Sequence, residues 1–134
     1  MKTINERIYD GLNEVMGGCL EKFVRYGESM KLKAAGYMDL SIDNLRGGKI
    51  AMAHNYIQNG DVMADPDMML EVDTEEKTIV PLTFQNDGLG LFQEVYDIDG
   101  QGNKTGVRVK LKRDLEHFLI QWIKNLKMQG HKAV

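Results

Sequence analysis

The chain has 134 residues, of which 43% are hydrophobic and 28% charged, with a formal net charge of −3. This composition is typical of a globular protein with one core, so we expect a single domain over residues 1–134 rather than a disordered or fibrous chain. No window approaches 18 consecutive apolar residues, which argues against a membrane span. Charges near the start and a single cysteine predict a cytoplasmic protein with no internal disulfide.

The acidic balance argues against general nucleic-acid binding, but the charges are unevenly distributed. Residues 61–76 contain seven acids and no base, and residues 104–113 contain five bases and no acid. Such runs can steer a charged partner, form solvated faces, or neutralise each other within a sheet or across a homodimer contact. Arg108 and Lys110 alternate along a predicted strand and would suit phosphates, but only Tyr96 is near enough to stack on a base.

The first element in the chain is a predicted amphipathic helix over residues 4–26. Its apolar positions recur in steps of three and four. Gly17 and Gly18 lie within it, and this pair could kink the helix or let another backbone approach closely. We expect it to end at Tyr26, with Gly27 in the left-handed conformation. Cys19 falls on the apolar stripe, which predicts a core cysteine rather than a reactive thiol.

The middle of the chain alternates with a period of two and predicts strands joined by short turns. Asn59-Gly60-Asp61 is the strongest hairpin signal, because asparagine and glycine tolerate a positive φ. Pro66 is expected just before a strand, since proline lacks the ladder donor. The predicted strands cover residues 37–42, 50–57, 68–73, 78–84, 91–98 and 106–111.

Helical spacing returns at Leu111 and predicts a second amphipathic helix that ends before Gly130. Short connections between strands favour antiparallel pairing. The predicted fold class is therefore α+β, with an antiparallel sheet of about six strands flanked by an N-terminal and a C-terminal amphipathic helix. Both helices are expected to pack on one face of the sheet.

No catalytic signature is present. The run that starts at Asp97 resembles a calcium loop, but its twelfth position is Arg108 where the loop needs a carboxylate. Gly88-Leu89-Gly90 lacks the spacing and the lysine of a phosphate-binding loop. Ser41 lacks the small-residue elbow of a hydrolase nucleophile.

The candidate binding residues lie between Lys49 and Gln85, where polar side chains crowd around tight turns. They are His54, Tyr56, Asn59, Asp61, Asp65, Asp67 and Gln85. His54 with the three aspartates has the ligand types of a zinc, manganese or iron site. Tyr56, Asn59 and Gln85 would instead form hydrogen bonds in a small-ligand pocket. Turn formation and strand-end capping explain the aspartates without a ligand, and we expect no metal and no cofactor.

Part of this region resembles a group of small bacterial domains of unknown function. The shared features are His54-Asn55-Tyr56-Ile57-Gln58-Asn59-Gly60-Asp61, then Ala64-Asp65-Pro66-Asp67-Met68, the pair Phe84-Gln85, and a terminal helix like residues 115–126. The resemblance covers residues 36–126, and the longer glycine-rich loop at 99–106 departs from it. It transfers no activity. Such domains are often carried on mobile elements, and the resemblance therefore favours a small protein that acts on other proteins.

These observations favour a non-catalytic protein-binding or regulatory protein over an enzyme. Small size and opposite charge runs suggest another protein as the partner, and the resemblance extends this to a mobile-element inhibitor of a host or defence system. The alternatives are a metal-assisted hydrolase built on His54, and a small-ligand-binding module.

Overall fold

The computed structural model describes residues 1–134, which form three α-helices and nine strands. The helices are Ile4–Val15 (α1), Leu20–Tyr26 (α2) and Val109–Gln129 (α3). The strands are Ser29–Lys33 (β1), Leu40–Arg46 (β2), Lys49–Gln58 (β3), Asp61–Asp73 (β4), Thr78–Asn86 (β5), Leu91–Glu94 (β6), Tyr96–Ile98 (β7), Lys104–Val107 (β8) and Lys132–Ala133 (β9). A short 3-10 turn, Asp87–Leu89, joins β5 to β6. The α+β class predicted from the sequence is confirmed.

Seven strands form one antiparallel sheet in the order β6-β5-β4-β3-β2-β1-β9, and β7 pairs with β8 in a separate hairpin. The sequence predicted about six strands and missed β1 and β9. In β1 only Leu32 is buried, and both residues of β9 are exposed. The two strands pair with each other at the sheet edge, which local alternation does not reveal.

The prediction of one continuous helix over residues 4–26 is wrong. Gly17 and Gly18 have φ values of 78° and 89°, and this left-handed backbone cannot continue a right-handed helix. The chain therefore ends α1 and starts α2 two residues after the glycine pair. Cys19 precedes α2 and is only partly buried, with its Sγ donating to the carbonyl of Met16 at 3.2 Å. Cys19 packs against the core but is not fully buried, so the predicted core position is confirmed only in part.

The end of α2 at Tyr26 is as predicted, but its cause differs. Gly27 is extended, with φ −76°, rather than left-handed. The side-chain amide of Asn44 donates to three carbonyl oxygens of residues 23–27 at 2.8–3.1 Å and satisfies the helix end. A Cβ at Gly27 would lie 2.5 Å from the Phe23 ring, so close approach requires glycine there.

The predicted hairpin turn is confirmed, with Asn59 and Gly60 both at positive φ between β3 and β4. Strand β4 begins directly after the turn, so Pro66 lies inside a strand and does not precede one. The register shifts at this point, because Asn55 pairs with Ala64 and Ala53 pairs with Asp67. Two residues of β4 therefore lie opposite one residue of β3, and such a bulge tolerates a proline that donates no ladder bond.

The predicted strands 91–98 and 106–111 differ in their bounds. The main sheet ends at Glu94, and the chain then passes through buried Val95 into the β7–β8 hairpin. Helix α3 begins at Val109, so Lys110 is helical and the expected strand face with Arg108 does not form. The end of α3 before left-handed Gly130 is as predicted.

A core of 22 buried residues joins the helices to one side of the sheet. Helices α1 and α3 pack against each other and on β5, and α2 packs on β2. None of the helices combines the length and the apolar character needed to cross a membrane.

One buried carboxylate links three elements of this core. Glu116 on α3 is 6% exposed and accepts from the Asn5 amide of α1 at 2.6 Å and from Lys112 Nζ at 2.7 Å. The same Asn5 amide donates to the carbonyl of Ile79 on β5 at 2.9 Å. Nothing in the periodicity of the sequence singled out Asn5 or Glu116.

Candidate functional site

One face of the seven-stranded sheet packs on the helices, and the opposite face has no helix on it. Successive side chains of a strand point to opposite faces, and the buried residues of β3 and β4 face the core. The alternate residues form what we call the open face. Its members on β2 to β6 are Ser41, Asp43, Lys49, Ala51, Ala53, Asn55, Ile57, Val62, Ala64, Asp67, Met69, Glu71, Asp73, Thr78, Val80, Thr83, Gln85, Phe92 and Glu94.

Large apolar side chains are exposed at two places on the open face. Ile57 and Val62 are cross-strand partners beside the β3–β4 turn, and they are 67% and 66% exposed. Phe92 on the edge strand β6 is 54% exposed. Exposed apolar side chains grouped on one surface are typical of interaction sites.

The centre of the open face is small and acidic. Ala53 and Ala64 are buried although no helix lies on them, because longer neighbouring side chains surround them. Asp67 pairs with Ala53 and with Gln85 across the strands. Burial raises the pKa of the Asp67 carboxyl, and the charges of Asp43 and Asp87 raise it further. No base lies within ion-pair distance of Asp67, so this carboxylate has no charge partner of its own.

The 3-10 turn next to the open face is held by side-chain hydrogen bonds. The Asp87 carboxylate accepts from the backbone N–H of Ala64 and from the Gln85 amide, both at 2.7 Å. These bonds hold the pKa of Asp87 below its usual range, with the Ala64 bond the larger cause. The Asn86 amide donates to Asp65 at 2.9 Å. Asp65 and Gln85 therefore both help to fix the local fold.

The β7–β8 hairpin leans toward the open face and leaves a groove of about 370 Å³, with Met69, Phe92 and Ile98 among its apolar lining residues. Lys104 Nζ lies 2.7 Å from Glu71 and 4.2 Å from the centre of the Tyr96 ring. This pair joins the basic run to the acidic run within the molecule, which is one of the arrangements that the sequence left open.

His54 lies on the other side of β3, toward the helices. Its Nε2 accepts from the indole N–H of Trp122 at 3.0 Å, since indole can only donate. Its Nδ1 therefore carries the proton and donates to the carbonyl of Asp39 at 2.9 Å. Both nitrogens are engaged, so neither is free to bind a metal or accept a proton from a substrate.

A second histidine supports the same segment. Nε2 of buried His131 donates to the carbonyl of Met38 at 2.9 Å, and its ring lies 5.9 Å from the ring of His54. Two histidines thus hold the β1–β2 connection against the sheet. A cavity of about 410 Å³ lies beside His54 and Trp122, but no free imidazole nitrogen of His54 faces it.

Burial lowers the pKa of His54 from its ordinary value of 6.5 and outweighs the hydrogen bond to the Asp39 carbonyl, which acts in the opposite direction. The unfolded chain therefore binds a proton at a higher pH than the folded protein. We expect the free energy of unfolding to fall as the pH drops through 6.5, until the folded-state pKa is reached. Chemical denaturation between pH 7.5 and about 5 measures this slope.

The His54→Gln variant should show a shallower slope, because glutamine does not titrate. Gln121→Ala, at an exposed position of α3 that does not titrate, is the control and should keep the wild-type slope. Equal slopes in the wild type and His54→Gln would contradict the assigned neutral state of His54.

The seven candidate residues do not form one site. His54 and Tyr56 face the helix side, Asp67 and Gln85 share the open face, and Asn59 and Asp61 lie at the exposed hairpin turn. Asp65 lies at the bulge of β4 and is bound to Asn86. No group of three or more His, Cys, Asp or Glu side chains converges in a geometry that would hold a metal ion. Tyr56, Asn59 and Gln85 line neither of the two cavities described above.

Sequence reasoning missed the exposed apolar residues of the open face. Ile57 and Val62 stand two residues before Asn59 and two residues after Gly60, so the confirmed turn makes them cross-strand partners. Ile57 lies four positions from Ala53 and three from His54, so on one strand it shares the face of Ala53, and this was a usable signal. Phe92 had no such signal, because its position depends on the pairing of β6 with β5.

A family model described as Domain of unknown function (DUF6908) matches residues 7–132. No curated protein and no solved structure matches the chain.

Proposed function

The chain belongs to this family of unknown function, and we propose that it is a non-catalytic protein-binding protein that contacts its partner through the open face. The observation that carries the proposal is the cross-strand pair Ile57 and Val62. Both side chains remain two-thirds exposed, on the face of the sheet opposite the one that packs on the helices. Burying such side chains against a partner removes apolar area from water, which favours association.

The hairpin that presents these residues is suited to a rigid contact. Strand β4 pairs with both β3 and β5 from Asp67 onward. Nearer the turn it pairs with β3 alone, and the bonds from Asp87 to Ala64 and from Asn86 to Asp65 hold it there. A preorganised surface loses little conformational freedom on binding.

Site-specific photo-crosslinking tests the proposal. A photoreactive amino acid at Ile57 should cross-link the protein to a discrete partner in cells that carry the gene. The same amino acid at Tyr26, an exposed residue of α2, is the control and should give no such product. Absence of a protein adduct at Ile57, or the same adducts at both positions, would contradict the proposal.

We also propose that the protein acts in the cytoplasm. Its partner would be a host or defence protein, and the protein would inhibit that partner as the product of a mobile element. This extension rests on the small size of the chain and on the sequence resemblance of residues 36–126. The identity of the protein cross-linked at Ile57 decides it. A partner unrelated to host regulation or defence would remove the extension and leave the binding function.

A further inference from the structure

The half of the chain that builds most of the open face is strongly acidic. Residues 50–103 contain eleven acids and one base, Lys77. Only two of these acids, Glu71 and Asp97, have a lysine or arginine within ion-pair distance, at 2.7 and 2.9 Å. The other nine acids therefore have no ion-pair partner in this protein. The one lysine of β3, Lys49, also lies on the open face, but at the far end of the strand from Ile57 and opposite Glu71.

Part of this charge is concentrated on the open face. Asp43 and Asp67 lie on β2 and β4, the two strands that flank β3, and they pair with Ala51 and Ala53 across the ladder. Asp87 adds a third carboxylate at the adjacent turn, and its charge acts on Asp67. Because Asp67 is half-buried, it gains more from a neighbouring cation than a fully exposed carboxylate would.

The shape of the face suits the same kind of partner. The short side chains of Ala51, Ala53 and Ala64 form a shallow trough along the middle of β3 and β4. The longer side chains of Ile57 and Val62 project at one end of it. A segment lying along this trough would meet apolar side chains at the hairpin end and carboxylates at the centre.

We propose that the open face binds a segment of another protein in which lysine or arginine residues lie beside apolar residues. The cations of the segment contact Asp43 and Asp67, and its apolar side chains contact Ile57 and Val62. This inference rests on the proposed protein-binding function and specifies the chemistry of the partner. An acidic segment or a nucleic acid would meet like charge at the same place.

Three acetylated and amidated nonapeptides provide the probes: one alternates lysine with leucine, one glutamate with leucine, and one lysine with serine. Each is titrated into the full-length isotope-labelled protein and followed by NMR. The lysine–leucine peptide should bind most tightly and shift the amide signals of Ala53, Asp67 and Gln85. It should also lower the pKa of the Asp67 carboxyl, a response that structural roles of Asp67 do not produce.

The double variant Asp43→Asn with Asp67→Asn should weaken binding of the lysine–leucine peptide by about tenfold. The control, Glu75→Gln with Glu76→Gln, makes the same change in net charge at the exposed β4–β5 turn and should bind normally. Thermal melting confirms that both variants fold. Equal weakening in both variants, equal binding of all three peptides, or shifts confined to residues outside the open face would overturn the inference.

The outcomes separate this inference from the proposed function. A cross-link at Ile57 that persists while the lysine–leucine peptide fails to bind removes the basic partner and leaves protein binding in place. If the lysine–leucine peptide binds as expected but Ile57 gives no protein adduct, the binding preference of the open face is supported and the proposed protein-binding function in cells is contradicted.

Discussion

Replacing Trp122 by alanine is expected to lower the free energy of unfolding by about 3–5 kcal/mol, the usual cost of removing a buried aromatic side chain. Trp122 is 6% exposed, packs between the rings of Phe118 and His54, and donates its indole N–H to His54. The variant therefore loses packing and leaves a histidine nitrogen without its donor. Urea denaturation measures the change, and a midpoint equal to that of the wild type would contradict the packing of α3 on the sheet.

Two further variants separate packing from hydrogen bonding. Trp122→Phe keeps a ring but removes the indole N–H, so it should cost about 1 kcal/mol for the hydrogen bond in addition to a smaller packing loss. It should also raise the pKa of His54. In the wild type a proton on Nε2 would meet the indole N–H, and phenylalanine removes that donor. Tyr26→Ala removes an exposed ring and should change stability by less than about 0.5 kcal/mol.

Replacing Asn5 by alanine should cost about 2–4 kcal/mol, because one substitution removes a donor from two acceptors and leaves Glu116 with Lys112 alone. The Asn5 amide serves both the buried carboxylate of Glu116 and the carbonyl of Ile79. Of these, the charged Glu116 is the costlier to leave underpaired. The measurement is the free energy of unfolding in urea at neutral pH.

The control for Asn5 is Arg7→Ala on the same helix, where the side chain is exposed and forms no ion pair. It should stay within about 0.5 kcal/mol of the wild type. If Asn5→Ala were as mild as Arg7→Ala, the link from α1 through Glu116 to β5 would not contribute to stability.

The contacts of Trp122 can be predicted from the sequence, whereas those of Asn5 cannot. Trp122 falls on the apolar stripe of α3, and the period of 3.6 residues is enough to place it in the core. Asn5 and Glu116 are polar residues on helix surfaces by any local criterion. They are 111 positions apart in the chain, and only the packing of α1 on α3 brings them together.

One of two glycine-containing turns could be predicted from the sequence, and the other could not. Asn59-Gly60 acts through its own backbone, so the sequence predicted the hairpin and its position correctly. The apolar periodicity on both sides of Gly17-Gly18 predicted a helix through the pair, and the glycines themselves permit helical and left-handed backbone alike. The packing of α1 and α2 on different strands, β5 and β2, selects the left-handed conformation and breaks the helix there.

By itself the sequence determined the α+β class, the amphipathic character of α1 and α3, the β3–β4 hairpin and the acidic charge of the central region. Each of these depends on residues close in the chain, through periodicity, backbone preference or local composition. Only the tertiary structure decided how the seven candidate residues divide. His54 lies on the helix side and contacts Trp122, whereas Asp67 lies on the open face. Which side of β3 is buried depends on the neighbouring strands and on the helices, and these are distant from β3 in the sequence.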